Sequence, residues 1–301
     1  MSHRFHIVDV FAEALYAGNT LAVVRGAADL DPSTMQRIAR EFGFSETTFV
    51  TSLSPVPPGA QRASLSEAVV RIFTPAVELP FAGHPTLGTA WVIREHLAPG
   101  RPATVVLSLG VGRVPVAFEA EAGGSEVAWL TAPEVTLGRT IARERIAPAL
   151  GLAAAEIATH LPVQHVLAGV EFVHVALTSR AAVAKACFDP RAFAKLAAEG
   201  FPRHVYLFAR EAESPGVDLH ARMLLEDGGL REDPATGSAT ACLGAYLLAH
   251  GSHGDRFSLR IEQGVEMGRP SLLRLEVTGP SAAAKIRVGG RVFESARGEL
   301  L

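Results

Sequence analysis

Cysteine is nearly absent. Only Cys187 and Cys242 occur among 301 residues, and neither belongs to a C-x-x-C pair. Two thiols cannot frame a disulfide-stapled fold, so both read as small buried hydrophobes. Net charge is −3 and there is no large basic run. That argues against a nucleic-acid partner, because binding phosphate takes clustered Lys and Arg. No apolar run reaches the roughly 18 residues that cross a bilayer. The N-terminal stretch "MSHRFHIVDVFAEALYAGN" lacks the basic start, long apolar middle and small-residue cleavage site of a signal peptide. A soluble cytoplasmic protein with no membrane partner is therefore expected.

Common chemical templates are missing too. There is no H-E-x-x-H, no Cys/His cluster with zinc spacing, no G-x-x-x-x-G-K-[ST] and no G-x-S-x-G. The "GVG" at Gly110 to Gly112 lacks the third glycine of a dinucleotide loop. His160 and His165 stand five apart, and His250 and His253 flank a helix end, where solvent is their expected place. What remains is cofactor-free acid–base chemistry or simple binding.

The chain is 48% hydrophobic and 20% charged, so it is globular and can bury a sizeable core. Its length suits two domains better than one. "RFHIVDVF" and "TLAVVRG" read as strands, and "DPSTMQRIAREFG" as a helix over 32–42, with Asp31 as cap, Pro at the first position and Gly43 past the end. Glu46 falls where that helix gives way to a strand over 47–50, and "LSPVPPGAQ" reads as a loop. Further strands are expected at "EAVVRIFTP", on both sides of the Gly turn in "ATVVLSLGVGRVPVAFEA", and at "FVHVALT", "HVYLFAR" and "DLHARML". Others are expected at "FSLRIEQG", "SLLRLEVTG" and "AKIRVGGRVFES". Helical stretches are few ("SRAAVAKACF", "PRAFAKLAAEG"), which favours α+β over a doubly wound sheet. A composition shift near 120–130 suggests domains at 1–123 and 124–301, the last strands being candidates to cross back to the first domain.

Two stretches repeat one pattern. "PFAGHPTLGTAWVIREH" starts at Pro80 and "PATGSATACLGAYLLAHG" at Pro234, an offset of 234 − 80 = 154 residues, close to half the chain. Each reads Pro-x-x-Gly-[His/Ser], followed by about a dozen small and apolar residues. A helix apolar all round is a buried one, and in a strand-rich domain its natural home is inside a curled sheet. Its first N–H groups still need partners. Gly83 and Gly237 permit close backbone approach there, so an anion held by N–H groups and the helix dipole is one reading. A plainly capped loop is the other. Glu46, His84 and Asp233 are the ionisable residues at these entrances or near the first helix. Each alone has an ordinary reading, as a solvated loop residue, a cap and a turn former respectively. Their co-occurrence with the repeat makes them candidates for proton transfer.

The stretches "SETTFV", "RIFTPAVELPFAGHPTLGTA", "REDPATGSATA" and "EQGVEMGRPS", with "FAEALYAGNTLAVV" near the start, resemble the phenazine-biosynthesis PhzF-like isomerases. The resemblance runs in order over almost the whole chain. It implies the diaminopimelate-epimerase-like fold: two similar domains, each a mixed sheet curled around a central buried helix, with the active site in the cleft between them. It also implies a homodimer with no metal or organic cofactor, acting on a small carboxylate such as trans-2,3-dihydro-3-hydroxyanthranilate. Carried over by residue, Glu46 matches the glutamate that moves the proton. His84 and Asp233 match residues that orient substrate and assist, and Gly83, Gly237 and Ser238 match positions around the substrate carboxylate. Related epimerases and racemases place paired cysteines at the two helix entrances. Here Ala82-Gly83-His84 and Ala235-Thr236-Gly237 stand there, which disfavours a two-thiol racemase. An epimerase of a small amino or hydroxy acid and a non-enzymatic binder remain the alternatives.

Overall fold

The computed structural model describes residues 2–53, 66–121, 123–226, 229–251 and 253–301. The loop expected over "LSPVPPGAQ" lies outside these beyond Leu53. The chain divides into two compact units, Met1–Thr131 with Gly289–Leu301, and Ala132–Val288.

In the first unit the strands are β1 (His3–Val10), β2 (Asn19–Arg25), β3 (Glu46–Leu53), β4 (Ser66–Phe73), β5 (Glu78–Leu79), β6 (Thr104–Leu109), β7 (Gly112–Ala120), β8 (Glu126–Thr131) and the final β18 (Val292–Leu300). They form a mixed sheet in the order β18–β1–β2–β3–β4–β6–β7–β8, with β2/β3 and β4/β6 parallel and the other pairs antiparallel. The short β5 caps one end of β4. A parallel pair needs a crossover. Helix α1 (Pro32–Phe42) supplies the first and α2 (Gly83–Val92) the second. Helix α1 spans the range its sequence predicts. Asp31 accepts from the backbone N–H groups of Ser33 and Thr34, and Gly43, left-handed at φ 67°, closes the other end onto Ala39.

Helix α2 is apolar all round and buried, with Leu87, Ala90 and Val92 fully enclosed. It packs on β18, β1, β2 and β3 and also on β6, β7 and β8. One helix can touch both ends of the sheet only if the sheet curls around it. The approach is close: a Cβ on Gly88 would stand 2.7 Å from Leu21 and 2.8 Å from Val10. After Val92 the helix widens into a π turn over Ile93–Leu97, closed by Ala98 N–H donating to the Ile93 carbonyl at 2.7 Å.

The second unit runs β9 (Thr136–Ile141), α3 (Arg143–Ile146), β10 (Val163–Ala168), β11 (Val170–Ala176), α4 (Arg180–Lys185), α5 (Pro190–Ala198), β12 (His204–Ala209), β13 (Leu219–Glu226), β14 (Leu230–Asp233), α6 (Gly237–His250), β15 (Arg256–Gln263) and β16 (Ser271–Thr278), and β17 (Lys285–Gly290) follows it along the chain before β18. Its order is β9–β10–β11–β12–β13–β15–β16, with β11/β12 and β13/β15 parallel. The short β14 pairs with β13 beside them. Starting from β18 in one unit and β9 in the other, both sheets read antiparallel, antiparallel, parallel, antiparallel, parallel, antiparallel. In both, the second parallel crossover carries the buried helix. Helix α6 packs on β10 and β11 at one end of its sheet and on β16 at the other. The offset of 154 residues between the two motifs thus reflects a repeat of topology. The fold is α+β, as expected, with a curled mixed sheet around one helix in each unit. Among the described residues no helix is long and apolar enough to cross a membrane.

Candidate active site

The first helix entrance belongs to α2. No side chain caps it. The first ladder bond is Thr86 N–H to the Ala82 carbonyl, and Pro85 has no N–H. The N–H groups of Gly83 and His84 therefore lie outside the helical ladder, at the positive end of the dipole.

His84 is buried at 6% exposure. The side-chain amide of Asn19, itself buried at the start of β2, donates to His84 Nδ1 at 3.3 Å. An amide N–H can only donate, so Nδ1 is the acceptor and the ring proton of the neutral form sits on Nε2. That nitrogen faces Glu46 Oε2 at 3.4 Å. Burial pushes the His84 imidazole down to about 3. The nearby carboxylate pulls the other way, but an imidazolium would also set two donors, Nδ1–H and the Asn19 amide, against each other. The ring is therefore neutral near neutral pH, and its contact with Glu46 is that of a neutral N–H beside a carboxylate. Glu46 is the first residue of β3, paired in register with Leu21 of β2, and its side chain is 16% exposed. The parallel β2/β3 pair and the close packing of α2 on β2 bring Glu46, His84 and Gly83 to one place.

The second entrance belongs to α6, and again no side chain caps it. The first ladder bond is Thr240 N–H to the Thr236 carbonyl, so the N–H groups of Gly237, Ser238 and Ala239 lie outside the ladder. Gly237 is buried and Ser238 half-buried. Asp233 ends β14, and its carboxylate accepts from the Thr236 hydroxyl at 2.5 Å. Gln263, fully buried at the end of β15, holds this turn from below. Its amide N–H group donates to the Asp233 carbonyl at 2.7 Å and to Thr236 Oγ1 at 3.1 Å, while its oxygen accepts from Thr236 N–H at 3.2 Å. The loop ahead of α6 is thus braced by side chains, none of which caps the helix end itself.

The repeat extends beyond the helices. Gly110 and Gly264 are also 264 − 110 = 154 residues apart. A Cβ on Gly110 would stand 2.9 Å from the Cα of Pro80, and one on Gly264 would stand 2.6 Å from the Pro234 carbonyl and 2.5 Å from the Arg269 carbonyl. Each glycine lets its strand end press against the proline that opens the helix entrance. Gly264 also holds φ at 74°, a backbone state that side chains disfavour.

Asn19 and Gln263 are the positioning residues that sequence reasoning did not single out. Both lie inside stretches that carry the family resemblance, "AGNTLAVV" and "EQGVEMG", yet a lone amide has no spacing rule to give it away. Cys242 is buried in α6, and burial pushes its thiol up, away from the reactive range. Cys187 departs from the expectation of a buried hydrophobe: it is exposed, just after α4. His250 is exposed as expected, and its ring still reaches Gln164 Oε1 at 2.6 Å. Glu46 and His84 offer too few donors to hold a metal. The three-residue cluster that could do so among the described residues is His6, His96 and Glu294, none of them at a helix entrance.

A family model described as "Phenazine biosynthesis-like protein" matches residues 8–298. An uncharacterized isomerase of Mesorhizobium japonicum is 36% identical, with 99% of each chain covered. A trans-2,3-dihydro-3-hydroxyanthranilate isomerase of Pseudomonas chlororaphis is 34% identical, again over 99% of each chain. A PhzF-family phenazine biosynthesis protein of Bacillus anthracis superposes with a TM-score of 0.87, covering 100% of this chain and 99% of its own at 24% identity, a likeness of fold.

Proposed function

Because this chain belongs to the phenazine-biosynthesis-like family, whose curated relatives are isomerases, we propose that it moves a proton within a small cyclic or unsaturated carboxylate, with trans-2,3-dihydro-3-hydroxyanthranilate the first substrate to test. Glu46, as carboxylate, takes the proton from one carbon and returns it to another, so the formula of the substrate is unchanged. His84, held neutral by burial and by the Asn19 amide, stands with Nε2 3.4 Å from Glu46 and moves onto it or the substrate during proton transfer. Asp233 assists binding and proton movement. Gly83, Gly237 and Ser238 receive the substrate carboxylate on backbone N–H groups.

The observation that supports this reading is the placing of a buried imidazole, held at Nδ1 by Asn19, with its Nε2 3.4 Å from the partly buried Glu46 carboxyl group, close but not hydrogen-bonded to it. A neutral donor can orient a base without trapping its charge as a full cation would. The reading also supports a cytoplasmic homodimer that needs no metal or organic cofactor for this step. The dimer is tested by light scattering on the eluting protein.

The experiment is proton NMR in D₂O with trans-2,3-dihydro-3-hydroxyanthranilate, comparing wild type with Glu46→Gln. Wild-type conversion is expected, with the migrating hydrogen tracked to its new carbon. Glu46→Gln is expected to lose ~10²- to 10⁴-fold in turnover while still binding. Turnover retained in the variant would remove Glu46 from the role. Binding without conversion by the wild type would exclude this substrate and move the search to other small carboxylates.

A further inference from the structure

Away from both helix entrances, three side chains of the first unit converge. His6 comes from β1, Glu294 from β18 and His96 from the π turn after α2. His6 Nδ1 is 2.8 Å from Glu294 Oε1, and His96 Nε2 is 3.2 Å from Glu294 Oε2. The two imidazoles stack, with centroids 4.4 Å apart and planes inclined by 21°. One donor atom from each residue lies within 4.8 Å of the other two.

Two backbone irregularities aim these groups. The pairing of β1 with β18 slips between Ile7 and Val8, so that Ile7 faces Ala296 and Val8 faces Glu294. The extra residue turns Glu294 to the face of β1 that carries His6 and Val8, which a regular ladder would not do. The π turn advances His96 relative to a regular α-helix, and such turns recur at functional sites. A third sign is unmet bonding. His96 Nε2 is buried without a hydrogen-bond partner. His96 Nε2 is near the carboxylate yet out of line for a hydrogen bond. A buried ring nitrogen left unsatisfied is costly, and a metal ion would give this one a partner.

We propose that His6, His96 and Glu294 form a site for a divalent transition cation, zinc foremost, that pins the turn after α2 to β1 and β18. Two imidazole nitrogens and one carboxylate suit zinc. With zinc–ligand bonds of about 2.0–2.2 Å, neighbouring ligands of a tetrahedron stand about 3.3 Å apart. The observed 2.8 and 3.2 Å reach different oxygens of Glu294, so to reach that spacing the donors, now within 4.8 Å of one another, draw in and the stacked rings turn until both lone pairs meet at one point. The two imidazoles also line a cavity of about 440 Å³, together with Arg25 and Arg297. Water or a small anion completes the shell, and the guanidinium groups favour the anion. On binding, the metal takes the lone pair of His6 Nδ1, and the neutral ring's single proton moves from Nδ1 to Nε2, so no net proton is lost. None of these residues belongs to the proposed proton relay, so the site stands or falls independently of it.

The test uses the full chain, freed of tag and treated with chelator. Zinc is titrated by calorimetry, cobalt(II) by its visible spectrum, and the thermal midpoint is followed with zinc. One ion per chain is expected, with tetrahedral cobalt bands and a midpoint rise of about 5 °C at a hundredfold excess over the dissociation constant. His96→Ala and Glu294→Gln should each weaken zinc binding more than ~100-fold, a ligand counting for more than an outer-shell partner. The exposed His160→Ala should bind as wild type does. Glu294→Gln preserves side-chain shape, so a folded variant is available even if His96→Ala unfolds. Absence of zinc binding by the wild type, or unchanged binding in folded Glu294→Gln, would overturn the proposal.

Discussion

The two helix entrances are built on one plan and equipped differently. Both open a buried apolar helix, both lack a side-chain cap, and both are pressed by a glycine 154 residues from its counterpart. At α2 the polar side chains run from Asn19, bonded to His84, to Glu46, whose carboxyl group lies 3.4 Å from the imidazole. At α6 they form a brace, Gln263 and Thr236 around Asp233, that immobilises the loop and leaves the helix end without a side-chain cap. On the proposed function, two helix ends built on one plan take different parts, the first moving a proton and the second holding a charge.

The sharpest way to break this comparison is to neutralise the acid at each entrance. Asp233→Asn should cost about 10² in kcat/KM and act largely through KM, whereas Glu46→Gln should act through kcat and reach towards 10⁴. Equal effects on the same constant would erase the distinction between holding and moving.

Acidification tests the buried histidines. Burial pushes His84 down to about 3 and, against a hydrogen bond to the Ala239 carbonyl, His174 down to about 4. The unfolded chain takes up these protons below about 6.5 while the folded chain does not. Their stabilising effect is thus full above about pH 6.5 and is lost as pH falls towards 3–4. Each approaches about 1.4 kcal/mol per pH unit once the unfolded histidine is fully charged, so the two lose about 3 kcal/mol between pH 6.5 and 5. Urea unfolding at pH 7.5, 6 and 5 measures the loss. His220 has the opposite sign. Burial alone would push it down, but Glu266 and Glu262, each accepting from a ring nitrogen at 2.8 Å, outweigh burial and hold it above its ordinary value. Its contribution is full below about pH 6.5 and fades as pH rises through the raised value. The stability gap between wild type and His220→Gln should therefore be widest in acid and close towards alkaline pH.

The glycines give the smallest effects and compare the units most directly. Gly264→Ala meets two carbonyl oxygens at 2.5 and 2.6 Å from a strained φ of 74° and should cost about 3 kcal/mol. Gly110→Ala meets the Cα and Cβ of Pro80 at 2.9 and 3.1 Å at an ordinary φ and should cost about 1 kcal/mol. Thermal midpoints of the two variants give the ranking, and a reversal would mean that the second entrance is the more yielding one.

Much of the architecture was legible in local pattern. Asp31, Pro32 and Gly43 define α1 because caps and φ preferences act within a few residues. The apolar runs after Gly83 and Gly237 declare buried helices because no face is left for water. The amides were not legible in this way. Asn19 and Gln263 acquire their roles only through partners 65 and 27 or more residues away, and an amide carries no periodicity. The convergence of His6, His96 and Glu294 was equally hidden, because it depends on a one-residue slip in a strand pair and one wide turn in a helix.

By itself the sequence determined the elements, the repeat and the family, since each depends on short-range preference or on motifs carried in order along the chain. Only the tertiary structure decided that both sheets share one order of pairings, that α2 seats His84 against Glu46, and that β18 returns to β1. Those outcomes depend on strand register and side-chain contact across dozens to hundreds of residues, and local propensity does not encode which distant surface will be met.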